Sequence, residues 1–133
     1  MKSKNVKSSD TSDRELSTTR VLNAPRELLW EVWTKPEYIK NWWGPNGFTN
    51  TIDTMDVQPG GTWQFVMHGP DGTDYKNKSI YKEILKPERI VFDHVTGPKF
   101  QATITFEEQG RKALLSWHML LVQPRISAAG KNI

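Results

Sequence analysis

Residues 23–45 read NAPRELLWEVWTKPEYIKNWWGP, and this stretch decides the fold because everything after it reads as strand. Asn23-Ala24-Pro25 signals a helix start, since asparagine caps well and proline suits the first turn. Leu28, Leu29, Val32 and Trp33 then fall at helical spacings and make one apolar stripe. Thr34 and Glu37 stand at capping-box spacing before a second short helix, predicted over 36–42, with Tyr38, Ile39 and Trp42 on adjoining turns. Gly44-Pro45 ends it. Trp42 is expected to pack inward with Tyr38 and Ile39. Trp43, about 100° further round the helix, is expected at a cavity rim or in solvent.

Working outward, Glu15 to Leu22 (ELSTTRVL) reads as a strand before the helices. After them, Thr49 to Val57 runs into Gln58-Pro59-Gly60-Gly61, where Pro-Gly fits the centre of a type II turn. Trp63, Phe65 and Met67 alternate with Gln64, Val66 and His68, a period-two pattern. Gly69-Pro70-Asp71-Gly72 is a hairpin signal. Strands are predicted over 77–85 and 89–95, then from Phe100 through Phe106, and over 113–122 after the turn at Glu108-Gln109-Gly110. Short turns join antiparallel neighbours, because parallel pairs need long crossovers. One antiparallel sheet of about seven strands with two short helices after the first is an α+β domain.

The 133 residues fit one domain, large enough for a real core. The absence of cysteine excludes disulfide scaffolds, thiolate metal sites and cysteine nucleophiles, and fits a cytoplasmic location. No apolar run approaches the roughly 20 residues of a membrane span, and the opening segment lacks the apolar core of a secretory signal. The net charge of +3 comes largely from residues 1–14, where Lys2, Lys4, Lys7 and Arg14 face only Asp10 and Asp13. That segment reads as a disordered basic leader, residues 15–122 as the domain, and 123–133 as a short tail.

Few residues carry reactive chemistry. His68, His94 and His118 lie on different predicted strands without metal-ligand spacing, so no metal or cofactor is expected. His94, beside Asp93, and His118, beside Ser116, are the candidates for acid-base work. Neighbouring strand residues face opposite ways, so Asp93 is not expected to orient His94. Asp53 and Asp56 read as solvent-facing carboxylates in the second strand. The aromatic strand faces carry few basic residues, which argues against nucleic acid as a partner.

The ordered set Asn23 to Trp30, Trp33-Thr34-Lys35-Pro36-Glu37, Trp42-Trp43-Gly44-Pro45, Pro59-Gly60-Gly61, Gly69-Pro70-Asp71-Gly72, Lys86-Pro87-Glu88-Arg89 and Thr103-Ile104-Thr105-Phe106 resembles a known family. It is the family of homologues of the activator of the 90-kDa heat-shock protein's ATPase, and the match spans about residues 15–121. The resemblance implies the SRPBCC or START-like helix-grip fold, a curved sheet around a long C-terminal helix with a cavity between. It implies non-enzymatic binding of a small hydrophobic or amphipathic ligand. The alternatives are a co-chaperone module that stimulates that ATPase and a cavity-based cyclase or hydrolase. Strand parity and the family's geometry place Trp43, Trp63, Phe65, Met67, Phe92, Trp117 and Met119 around the cavity. The sequence after Val122 is short for the family's helix, so the sheet's concave face is expected to be open, or covered in a homodimer.

Overall fold

The computed structural model describes residues 14–122. Its elements are β1 (Glu15–Leu22), α1 (Arg26–Thr34), α2 (Pro36–Ile39), β2 (Thr49–Met55), β3 (Thr62–His68), β4 (Asp74–Leu85), β5 (Arg89–His94), β6 (Phe100–Gln109) and β7 (Lys112–Leu121). Among the described residues no helix follows β7. The readings of residues 1–13 as leader and 123–133 as tail lie outside the described residues. Arg14, grouped with that leader by its charge, is held: its Nη1 donates to the carbonyls of Leu121 (3.1 Å) and Val122 (3.2 Å).

All seven strands form one antiparallel sheet in the order β1-β7-β6-β5-β4-β3-β2. The chain meanders from β2 to β7 through tight turns, and β1 then pairs with β7 at the far edge. Residues directly opposite on paired strands share a face, so the register traces one apolar row after another. Tyr81, Phe92, Ala102 and Met119 form one row across β4, β5, β6 and β7, while Ile90, Ile104, Trp117 and Thr18 form the next. The opposite face carries the ion pairs Lys82–Asp93 (3.8 Å) and Arg89–Glu83 (3.2 Å). One solvated face and one covered face is the usual arrangement of an antiparallel sheet.

The helices cover one end of the apolar face. Leu29 and Trp30 of α1 are buried, and Trp30 meets Phe106 of β6 edge-on at 5.8 Å between ring centroids. Outside the core, Arg26 reaches Glu108 at 3.8 Å. The capping expected from sequence is not what starts these helices. The cap positions are Pro25 and Lys35, and neither offers a side-chain hydrogen bond. Thr34 remains inside α1 and returns its hydroxyl to the Trp30 carbonyl at 2.6 Å, so it is not free to cap α2. α2 stops at Ile39, three residues short of the predicted end.

The turns follow their residues closely. Gly60 has φ +85° and the Gly61 N–H donates to the Gln58 carbonyl at 2.8 Å, a type II turn. At the β3–β4 hairpin, the Asp71 carboxylate accepts the Thr73 N–H at 3.0 Å, which holds its pKa below the ordinary carboxylate value. β2 ends at Met55, short of the predicted Val57, because the Gln58 N–H bonds back to the Asp56 carbonyl at 2.9 Å and turns the chain.

Tyr81, 2 % exposed in the core, has its phenol pKa pushed up by burial and secondarily by the Asp56 carboxylate. The unfolded chain ionises this phenol near pH 10 while the folded chain keeps it protonated. Stability is therefore whole below about pH 10 and falls by about 1.4 kcal/mol per pH unit above it. Tyr81→Phe should flatten that slope in urea melts at alkaline pH; an unchanged slope would place the alkaline sensitivity elsewhere.

Candidate functional site

Because α1 and α2 cover only the Phe106–Ala113 end of the apolar face, the rest opens as a cleft of about 830 Å³. Trp33, Trp42 and Trp43 close one side, and Phe100, Trp117 and Met119 supply the sheet side. Trp43 is the hub of the aromatic cluster. Its ring centroid lies 4.9 Å from Trp63, 6.0 Å from Trp33, 6.1 Å from Trp117, and 6.4 Å from both Phe65 and Phe92. Aromatic pairs at these separations and tilts are mutually attractive.

Of the expected roles of the tandem tryptophans, the inward packing of Trp42 is not seen, while Trp43 borders the cleft as expected and also packs against the buried rings. Trp42 is 39 % exposed and leans on α1, where its Nε1 donates to the Val32 carbonyl at 3.2 Å. Trp43 packs against the core. The Trp43 N–H bonds to the Ile39 carbonyl at 3.0 Å, an i→i−4 bond that continues the helical turn past the end of α2 and holds Trp43 beside the aromatic cluster.

Of the seven cavity residues expected from sequence, Trp43, Met67, Trp117 and Met119 line the cleft. Trp63, Phe65 and Phe92 share the same sheet face but are 2 %, 2 % and 1 % exposed, so they lie under the cleft as its floor. The cleft also takes in Trp33, Trp42, Asn77, His94 and Phe100, together with Thr18 and Arg20 of β1. Phe100 was signalled by its parity with Ala102 and Ile104. Arg20 carried no such signal, since a charge in an edge strand reads as solvated.

The two candidate acid-base histidines separate. His94 faces inward and is buried; its Nδ1 lies 3.0 Å from the Pro98 carbonyl and its Nε2 2.9 Å from Asn77 Oδ1. Asn77 in turn donates its amide to the Tyr75 carbonyl at 2.9 Å, and the His94 ring stacks on Phe100 at 4.7 Å. Both ring nitrogens are engaged, which fixes the imidazole in place. His118 faces the other way and sits 3.5 Å from Glu15 Oε1. Asp93 also faces away, toward Lys82 and Gln101, as alternation along β5 requires. His68 bonds Thr51 and Asp74 on the outer face. Among the described residues no three His, Asp or Glu side chains gather as a metal site, and no helix is long and apolar enough to cross a membrane.

A curved antiparallel sheet with short helices on its apolar face, enclosing a cleft between them, defines a START-like protein of the helix-grip class. The family model for Activator of Hsp90 ATPase homolog 1-like protein matches residues 23–130, and the chain belongs to that family. A crystal structure from Nitrosomonas europaea is 22% identical, superposes with a TM-score of 0.79, and the match covers 86% of this chain and 79% of that one. A solution structure from Arthrobacter aurescens is also 22% identical, with a TM-score of 0.81 over 87% of this chain and 73% of that one. The AHSA1-like protein of Aeromonas hydrophila is 17% identical, with a TM-score of 0.71 over 79% and 73%. These likenesses are of fold. No curated protein matches the chain.

Proposed function

We propose that the protein binds a small hydrophobic or amphipathic molecule in the cleft and performs no chemistry on it. The carrying observation is the cleft itself: about 830 Å³, walled by Trp, Phe, Leu and Met side chains with a few polar groups. That volume is within the roughly 300–1,000 Å³ of small-molecule sites, and the mixture of apolar wall and sparse polar groups is their usual chemistry. The engagement of both His94 nitrogens supports binding over acid-base catalysis. A cysteine-free chain suits work in the cytoplasm.

An environment-sensitive apolar dye tests this. Wild-type protein is expected to bind it with a Kd of about 1–10 µM. Met119→Lys, which places a charge in the cleft without touching the buried floor, should weaken binding at least about tenfold. Equal dye binding by both proteins would overturn the reading. The family's description supports a second reading, a co-chaperone whose outer surface stimulates the ATPase of the 90-kDa heat-shock protein. A rise in that ATPase turnover that survives Met119→Lys would assign the function to that surface.

A further inference from the structure

We infer that Arg20 anchors an acidic head group, so that the cleft selects a single-headed anionic amphiphile with a carboxylate head over its neutral counterpart. This rests on the ligand-binding reading above. Arg20 stands opposite Leu115 in the β1–β7 register, and Thr18 stands opposite Trp117, so both side chains belong to the apolar face. Among the described residues that line the cleft, Arg20 is the one side chain with a permanent charge, and no carboxylate lines it. Arg26 meets Glu27 and Glu108, Arg89 meets Glu83, Arg14 bonds backbone carbonyls, and none of these three lines the cleft. Among the described residues Arg20 has no carboxylate partner.

An unpaired guanidinium beside an apolar wall is matched by a carboxylate with an apolar tail. The planar fork of Arg suits two parallel hydrogen bonds to a carboxylate, and Thr18, two residues along the same face, offers a hydroxyl beside it. The tail has room to lie away from the charge. From β1 the cleft runs past Trp117 and Phe100 to Asn77 of β4, four strand spacings or about 19 Å across the sheet. The head stays at the solvated edge strand while the tail covers the tryptophans, so the ion pair forms without deep burial of either charge.

The test compares dodecanoate with dodecanol, each titrated into the full chain below micelle-forming concentrations and followed by tryptophan fluorescence. Dodecanoate is expected to bind about tenfold tighter than dodecanol. Arg20→Gln should bring the acid to the affinity of the alcohol and leave the alcohol unchanged, while Arg20→Lys keeps part of the preference. Lys112→Gln, which removes an exposed charge outside the cleft, should leave the preference intact. Raising salt from about 0.05 M to about 0.5 M should narrow the gap in wild type. If Arg20→Gln keeps the full preference, or wild type binds both equally, Arg20 merely guards the sheet edge and the inference fails. Arg20-dependent sedimentation with phosphatidylglycerol vesicles, without binding of the monomeric acid, would also overturn it. If neither compound binds wild type, the ligand-binding reading itself falls.

Discussion

Trp43→Ala is expected to lower the unfolding free energy by about 3 kcal/mol, and Trp42→Ala by about 1 kcal/mol or less. Trp43 has six aromatic partners, Trp42 at 5.7 Å and five across α1, β3, β5 and β7. Truncating it removes transfer free energy and leaves a void that rigid neighbouring rings cannot fill. Trp42 is 39 % exposed and gives up mainly one hydrogen bond to Val32 and an edge contact with Trp33 at 4.7 Å. Urea denaturation of the two variants decides the matter. A larger loss for the Trp42 variant would mean that the tandem pair packs the other way round.

Gly61→Ala should be of similar size, about 2–4 kcal/mol, for a backbone reason. A Cβ at Gly61 would meet the Asp56 carbonyl oxygen far inside van der Waals contact. That carbonyl belongs to the β2–β3 turn, and the Gly61 carbonyl itself accepts the Tyr81 N–H at 2.9 Å. No side-chain rotation relieves the clash, so the turn must shift and strain its bond to β4. Gly60→Ala has open space around its Cβ but a φ of +85°, so its cost is about 1 kcal/mol of local conformation. Thermal melts that rank Gly60→Ala as the worse variant would show that the turn yields where the geometry says it is fixed.

The order of elements was legible in the sequence because each turn announces itself and each strand alternates. Gly60 and Gly72 both take the positive φ that their Pro-Gly and Asp-Gly contexts demand. The register breaks at Ile52/Thr54 and Tyr81/Glu83 were not legible. A bulge changes which residues share a face without requiring any particular residue type. The same limit divided the candidate site. Parity put Trp63, Phe65 and Phe92 on one face with Trp117 and Met119, but only the placement of α1 and α2 determines which of them are roofed over and which meet the cleft. Trp42 was misassigned because sequence spacing gives the roughly 100° between the tandem rings but not which of them faces the sheet.

The position of β1 has a kinetic meaning. Every other strand except β2 is flanked on both sides, and β2 is joined to β3 by a tight turn. β1 is held by β7 alone, and Leu22 meets Ala113 only after nearly the whole domain lies between them. Closing so long a loop comes late in folding, and a strand exposed along most of its length is the first to fray. The wall that carries Thr18 and Arg20 is thus an exposed edge of the sheet. A molecule lying between Arg20 and Trp117 would bridge β1 and β7, so occupancy is expected to slow amide exchange along β1.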